Sequence, residues 1–107
     1  MHYTSEQITA LIDAHRFGAN SDKNIDWLLT DSRSLAFPEA TLFFALRSQR
    51  NDGHKYVADL YRRGVRDFVV SALPDDYASR FPAATFYVVV DPLKALQHLA
   101  ECHRRRF

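Results

Sequence analysis

Two short polar segments carry most of the residues with the chemistry to bind a small molecule. The first is Thr30-Asp31-Ser32-Arg33, and the second is a polar loop that closes on Asn51-Asp52-Gly53-His54. Between them lies the apolar run Leu42-Phe43-Phe44-Ala45-Leu46, which is typical of a strand covered on both faces. Because ligands of open parallel sheets bind beyond the carboxyl ends of the strands, this arrangement predicts a small-molecule site.

The second segment has the residue types of an anion site. Arg47 and Arg50 precede a predicted helix whose first N–H groups are expected to be unpaired and to carry partial positive charge. Such an arrangement favours a phosphate or diphosphate, and Gly53 would let the backbone come close to it. The alternative is that both arginines are solvated loop charges and that Asp52 only caps the helix.

Other polar residues also allow more than one interpretation. The Asp31-Ser32-Arg33 segment could hydrogen-bond a base or ribose, or it could form a local turn in which Arg33 pairs with Asp31 or Asp52. His54 is either a ligand contact or a helix N-terminal residue exposed to water. His98 and Cys102 lie four residues apart, which is a weak metal signal, so we expect no metal site. No serine or cysteine has an adjacent base, and we predict no catalytic residue.

Composition excludes several classes of function. The chain has 107 residues, enough for one domain, with 47% hydrophobic and 25% charged residues, as in ordinary soluble proteins. Fourteen basic and thirteen acidic residues argue against a general nucleic-acid binder. The sequence shows no signal-peptide pattern and no apolar run of membrane-spanning length, so we expect a cytoplasmic protein with no nucleic-acid or membrane partner. Cys102 is the single cysteine, which fits a reducing compartment.

The predicted elements alternate between strands and helices. A first helix is capped by Thr4 and Gln7 and continues along one face to His15, followed by a turn-like segment over 18–24. Strands are predicted at 25–30, 41–46, 68–70 and 85–90. A second helix ends at Gly64, one helical turn is allowed within 73–82, and a last helix begins at Asp91-Pro92. This order predicts a single α/β layered domain with a largely parallel or mixed sheet and flanking helices.

In this order, the segments resemble the N-terminal domain of the Mur ligases, the ATP-dependent amino-acid-adding enzymes of peptidoglycan synthesis. The family pattern is an Asp-Ser-Arg turn, an apolar strand, a loop closing on Asp-Gly-His, and a helix that ends at a glycine before another strand. Here the matching residues are Asp31-Ser32-Arg33, Leu42 to Leu46, Asp52-Gly53-His54, and Gly64 before Phe68-Val69-Val70. The details are most similar to the member that adds D-alanyl-D-alanine to UDP-MurNAc-tripeptide, in the bacteroidete form fused to an alanine racemase.

The resemblance implies a binding site for the UDP end of that substrate. The uridine would meet Thr30 and the Asp31-Ser32-Arg33 turn, while the nucleotide and its diphosphate would be lined by Phe44-Ala45-Leu46, Arg47 and the loop to His54. Family members often carry Lys-Gly after the apolar strand, whereas this chain has Arg47-Ser48, which bears on the diphosphate contacts.

The resemblance also implies partners that this chain lacks. The central ATPase domain and the C-terminal domain are absent from residues 1–107, and neither G-x-x-x-x-G-K-[ST] nor G-x-G-x-x-G occurs in the sequence. In the parent ligase, ATP and Mg would activate the tripeptide carboxylate as an acyl phosphate, which the D-alanyl-D-alanine amine attacks. PLP would enter only with a fused racemase. The chain alone, with no cofactor, is expected to be inactive.

Two other functions stay open from the sequence. One is the same domain of the Mur ligase that adds the third residue, lysine or diaminopimelate, because both domains share much of the pattern. The other is a non-enzymatic protein- or RNA-interaction module, for which five tyrosines and eight phenylalanines supply aromatic side chains.

Overall fold

The computed structural model describes residues 2–19 and 24–105. The strands are β1 (Tyr3–Thr4), β2 (His15–Gly18), β3 (Asn24–Ile25), β4 (Trp27–Leu29), β5 (Thr41–Phe44), β6 (Asp67–Val70) and β7 (Thr85–Val88). The helices are α1 (Ser5–Leu11), α2 (Val57–Arg62), α3 (Tyr77–Arg80) and α4 (Pro92–Arg105), with short 3-10 turns at Ser32–Ser34, Pro38–Ala40 and Gly53–Tyr56.

Five of these strands form one mixed sheet in the order β2–β7–β6–β5–β4. Strands β4, β5, β6 and β7 are parallel neighbours, and β2 joins the edge of β7 in antiparallel orientation. A separate antiparallel pair joins β1 to β3. The predicted α/β layered domain with a largely parallel sheet is therefore confirmed.

Continuous apolar runs form the centre of the sheet, because both of its faces are covered. Every residue of β5 and β6 is buried. Successive side chains point to opposite faces, so Phe44 and Val69 pack on one side with α1 and α4, while Phe43 and Phe68 pack on the other with α2. The carboxyl ends of the parallel strands consequently meet at one edge.

The predicted helix boundaries agree with the structure where local capping chemistry sets them. The Thr4 hydroxyl accepts from the Gln7 N–H, and the Gln7 side chain accepts from the Thr4 N–H, which completes a capping box. The Asp91 carboxylate accepts from the backbone N–H groups of the second and third residues of α4. Gly64 follows α2 with a φ of +110°, as expected of a helix-terminating glycine.

The predicted course of the first helix is wrong. Helix α1 ends at Leu11, and Asp13 adopts a left-handed conformation with a φ of 53°, which reverses the chain. His15 therefore begins the exposed strand β2 instead of extending the helix, and Gly18 ends that strand. Residues 20–23 of the predicted 18–24 turn lie outside the described residues.

The predicted strand over 25–30 is in fact two short strands. The backbone N–H of Asp26 donates to the carbonyl of Ala40, between the end of β3 and the start of β4. β3 then pairs with β1, and β4 pairs with β5. Among the described helices, none has the length and apolar character needed to cross a membrane.

Candidate functional site

A polar cleft of about 540 Å³ opens beside the carboxyl ends of β4 and β5. One wall is the Thr30-Asp31-Ser32-Arg33 segment that follows β4, and the other is formed by Asn51 and Tyr56 from the segment after β5. The structure thus brings together the two polar segments that the sequence separates by about twenty residues, as the strand-end rule for parallel sheets requires.

The first wall is a turn held by its own charged groups. Asp31 caps the 3-10 turn Ser32–Ser34 by accepting from the Arg33 N–H at 2.9 Å. The Arg33 guanidinium also forms a two-pronged ion pair with Asp31, at 3.1 and 2.9 Å. This hydrogen bonding lowers the pKa of the Asp31 carboxyl. Of the two ion pairs that the sequence allowed for Arg33, the one with Asp31 forms.

A long-range hydrogen bond fixes this turn to the helix layer. Arg63, the residue after α2, donates from Nη1 to the carbonyl oxygen of Ser32 at 3.0 Å. Within the described residues, the hydroxyl groups of Thr30 and Ser32 make no hydrogen bond, although both residues line the cleft. A ligand in the cleft would therefore meet two hydroxyl groups that donate and accept, held on a turn of fixed position.

The second wall offers an amide and a phenol. The Tyr56 hydroxyl donates to Asn51 Oδ1 at 3.4 Å, and the ring of Tyr56 packs in part against the core. Hydroxyl and amide groups of this kind recognise the hydrogen-bonding edge of a base or the hydroxyls of a ribose. The cleft can therefore bind a polar, nucleoside-sized group.

The expectation of unpaired N–H groups at the start of the second helix is wrong. The Gly53 N–H donates to the Leu46 carbonyl at 2.6 Å, and the Lys55 N–H donates to the Asp52 carbonyl. The His54 N–H donates to the Asp52 carboxylate at 3.0 Å. Because these donors are satisfied within the protein, they are not available as a ready-made anion site.

Gly53 is required by the protein backbone itself. A Cβ atom at this position would lie 2.8 Å from the Leu46 nitrogen and 2.9 Å from the Ala45 Cα. The segment therefore crosses the end of β5 at a distance that only glycine permits. Gly53 does allow a close approach of the backbone, as predicted, but the group that it approaches is the end of β5 and not a ligand.

His54 joins the ends of two neighbouring strands. Its Nε2 accepts from the Ser71 N–H at 3.0 Å, which places the ring proton on Nδ1, 2.6 Å from Asp52 Oδ1. The side chain is 18% exposed. This geometry contradicts the interpretation of His54 as a water-exposed helix residue, and its two nitrogens are both used inside the protein.

Residues at the end of β5 fall into two groups. Phe44 and Ala45 are fully buried in the two core clusters, so neither side chain can line a ligand surface as the resemblance implied. Leu46 is half-buried against the core. Arg47 is exposed and pairs with Asp52 at 3.3 Å, and Arg50 is exposed in the loop. The His54 N–H is the main cause of a lowered pKa of the Asp52 carboxyl.

Two contributors to the cleft were not predicted as site residues. Tyr56 packs in part against the core, and the 3-10 turn Gly53–Tyr56 that it ends also brings it into the lining of the cleft. The other is Arg63, whose hydrogen-bond partner is 31 residues away in the sequence. A contact over that separation leaves no local sequence pattern, unlike a helix cap. The position of Tyr56 next to the loop was the one available signal.

His98 and Cys102 lie on the same side of α4, as predicted, with Nε2 and Sγ 3.6 Å apart. Over residues 2–19 and 24–105, no group of three His, Cys, Asp or Glu side chains is arranged to hold a metal ion.

Comparison with known proteins places this architecture among solved folds. No family model and no curated protein matches the sequence. Three solved structures from Acinetobacter baumannii do match, two of MurF and one named UDP-N-acetylmuramoylalanyl-D-glutamyl-2,6-diaminopimelate--D-alanyl-D-alanyl ligase. Each gives a TM-score of 0.83 with 24% identity over 99% of this chain, which spans 22% of the length of those proteins. The chain therefore has a fold like that of the Mur ligase N-terminal domain.

Proposed function

We propose that this chain binds the UDP moiety of UDP-MurNAc-tripeptide as the N-terminal domain of a D-alanyl-D-alanine-adding Mur ligase. The observation that supports it most is that the Asp31-Ser32-Arg33 turn and Asn51 line one cleft. This cleft lies beside the carboxyl ends of β4 and β5, where ligands of parallel sheets bind. One of the matching structures is named as a D-alanyl-D-alanyl ligase, which favours this member of the family over the one that adds the third residue.

The proposed role of the cleft is positioning. The free hydroxyl groups of Thr30 and Ser32 would hydrogen-bond the base and ribose, and the exposed guanidinium groups of Arg47 and Arg50 would face the diphosphate. Holding the nucleotide end would orient the distant carboxylate for its reaction elsewhere in the parent enzyme. None of the residues in this cleft is proposed to act as acid, base or nucleophile.

Several parts of the proposal concern the parent enzyme. ATP and Mg would serve an ATPase domain outside residues 1–107, and the protein would work in the cytoplasm. Fusion to an alanine racemase, with its PLP, stays a prediction that the gene sequence after residue 107 would test. We expect the purified chain neither to hydrolyse ATP nor to ligate; phosphate release from ATP would contradict this.

A titration of the ¹⁵N-labelled chain with UDP tests the central claim. Amide shifts should concentrate at 30–33, Asn51 and Tyr56, with saturation at a single affinity. Ser32→Ala should weaken UDP binding by about two- to twelvefold, the effect of one hydrogen bond. Ser34→Ala, in the same turn but outside the cleft lining, is the matched control. Unchanged spectra, or equal effects of the two variants, would contradict the proposal; displacement of UDP by RNA would favour an RNA-interaction module.

A further inference from the structure

His54 connects the second wall of the cleft to the centre of the sheet. It belongs to the turn Gly53–Tyr56, and both Asn51 before it and Tyr56 after it line the cleft. Its side chain reaches Ser71, the residue after β6, which is not part of the cleft lining. The ring therefore joins residues that would touch a ligand to a strand end that would not.

Hydrogen bonds attach this turn to the ends of two neighbouring strands. At the end of β5, the Gly53 N–H donates to the Leu46 carbonyl at 2.6 Å. At the end of β6, the Ser71 N–H donates to His54 Nε2 at 3.0 Å. The first bond joins two backbone groups and does not depend on pH, whereas the second requires a ring nitrogen without a proton.

The geometry defines where a second proton would enter the ring. Nδ1 lies 2.6 Å from Asp52 Oδ1, and an ionised carboxylate can only accept, so Nδ1 carries the ring proton. Nε2 is then the acceptor of the Ser71 N–H. Protonation of His54 must therefore occur at the atom that holds the strand end.

A proton on Nε2 replaces this hydrogen bond by a repulsive contact. An imidazolium has two N–H donors and no acceptor, so Nε2 and the Ser71 nitrogen would each direct a hydrogen at the other. The Ser71 hydroxyl, with Oγ 3.3 Å from Nε2, could accept the new N–H, but the Ser71 N–H would still lose its partner. Because the His54 side chain is only 18% exposed, relief must come from movement of the turn or of the strand end.

The charged groups around His54 come from its own loop and from the groove beside Ser71. Asp52 is paired with Arg47 at 3.3 Å. The backbone N–H of His54 is the main cause of a lowered pKa of the Asp52 carboxyl, so this carboxylate stays ionised over the range in which imidazoles usually titrate. Ser71 also lines a groove of about 740 Å³, whose other ionisable side chains are those of Asp13, Asp91, Lys94 and His98. His98 is a second imidazole near this site and needs its own control.

We infer that protonation of His54 weakens ligand binding in the cleft, so that the site binds more tightly when the ring is neutral than when it is charged. The inference rests on the proposed binding of UDP and adds a regulation of that same site. His54 is a positioning residue, because it acts through Asn51 and Tyr56 and does not line the cleft itself. The loss of one hydrogen bond behind the wall should weaken binding by about two- to twelvefold.

UDP-glucose is the probe for this dependence on pH. UDP itself gains a proton on its terminal phosphate near pH 6, whereas both phosphates of UDP-glucose are esterified and keep their charge. Its affinity for the ¹⁵N-labelled chain should be about two- to twelvefold weaker at about pH 5.5 than at about pH 7.5. In the free chain, the ring nitrogens of His54 and the amides of Ser71, Asn51 and Tyr56 should change with one common midpoint.

Two results of this titration have different consequences. Equal affinities at the two pH values, or a midpoint of the cleft amides that differs from that of the His54 ring, would overturn the inference and leave the nucleotide site standing. Absence of UDP-glucose and UDP binding at both pH values would remove the proposed function itself.

Variants of the two histidines provide the second test. His54→Gln keeps an oxygen that can accept from the Ser71 N–H but has no titratable group, so its affinity should be the same at both pH values. His54→Ala has no acceptor and should bind at both pH values as weakly as the unaltered chain at low pH. His98→Gln, at an exposed position of α4 outside the cleft lining, should retain the full dependence on pH.

Far-UV circular dichroism at both pH values shows whether each variant is folded. A dependence on pH that persists in folded His54→Gln, or disappears in His98→Gln, would overturn the inference. If a His54 variant does not fold, the midpoints measured in the unaltered chain decide between the two outcomes.

Discussion

Replacement of Gly53 by alanine tests whether glycine is required at this position by the packing of the backbone or by the approach of a ligand. The added Cβ would lie 2.8 Å from the Leu46 nitrogen and 2.9 and 3.0 Å from the Cα and carbonyl carbon of Ala45. All three atoms belong to the backbone at the end of β5, so no side-chain rotation can relieve the contact. Either this strand end or the Gly53–Tyr56 turn must move.

The size of the effect follows from three contributions. Overpacking of a well-packed site costs about 1–3 kcal/mol. Displacement of the turn also weakens the 2.6 Å hydrogen bond from the Gly53 N–H to the Leu46 carbonyl, which contributes about 0.5–1.5 kcal/mol. Reduced freedom of the unfolded chain offsets about 0.4–1 kcal/mol. We therefore expect Gly53→Ala to lower the free energy of unfolding by about 0.5–4 kcal/mol.

Urea unfolding followed by far-UV circular dichroism measures this loss. The midpoint should fall with an unchanged slope, and each kcal/mol should lower Tm by about 4–8 °C. Gln49→Ala, at the exposed tip of the same loop, should stay within about 0.5 kcal/mol of the unaltered chain. A Gly53→Ala chain of full stability that binds UDP more weakly would refute the structural argument, because glycine would then be needed by the ligand.

Three further perturbations test the turns and the core. Asp52→Ala removes a cap and should cost about 0.5–2 kcal/mol at pH 7. Because the pKa of Asp52 is lowered in the folded chain, this difference should begin to shrink below the ordinary carboxyl pKa of about 4 and disappear below the lowered pKa, which acid titration of stability would show. Tyr87→Phe removes a buried hydroxyl that donates to Asp67 at 2.9 Å and should cost about 1–3 kcal/mol. Burial raises the pKa of Tyr87, so the unaltered chain should lose stability above about pH 10 and the variant should lack that loss, as unfolding at pH 9–11 would reveal. Arg63→Met removes the donor to the Ser32 carbonyl and should weaken UDP binding by about two- to tenfold in calorimetry; an unchanged Kd would contradict a positioning role.

The parts of the fold that could be predicted are those in which local chemistry and tertiary packing favour the same structure. The capping box at Thr4, the cap at Asp91 and the terminating glycine at Gly64 are local features, and each lies where the sequence predicted it. The buried runs that became β5 and β6 have both faces covered, so their apolar pattern was continuous. Their alternation with helices was enough to predict parallel pairing.

Strand β2 could not be predicted because its stability comes from its neighbour. All of its residues are exposed, and it is held by antiparallel pairing with β7. An exposed edge strand lacks the alternation of apolar and polar residues by which strands are recognised. Ile8 and Ile12, just before it, have helical spacing, and this spacing predicted a longer helix. The helix ends before His15 because Asp13 adopts a left-handed conformation. That conformation usually requires glycine, so an aspartate at this position gave no signal of it.

The placement of the candidate site was predictable, but the internal hydrogen bonds of its residues were not. The strand-end rule predicts that the two polar segments meet, and one cleft contains parts of both. The N–H groups after Asp52 are paired because the loop that begins at Arg47 returns to the end of β5. This return requires the close backbone contact at Gly53, and a sequence pattern does not reveal such a contact.

The two walls of the cleft are built in the same way, and this limits the chemistry of the cleft. Asp31 lies just after β4, and Asp52 lies at the end of the loop that follows β5. Each adopts an extended conformation and accepts from the N–H two residues later to start a 3-10 turn. Each carboxylate is also paired with a basic side chain, Arg33 or Arg47. The ionised groups nearest the cleft therefore stabilise the turns, and the groups left for a ligand are neutral hydroxyls and an amide. For the proposed UDP ligand, recognition in the cleft would therefore come from hydrogen bonds to the base and ribose, and the phosphates would lie outside the cleft.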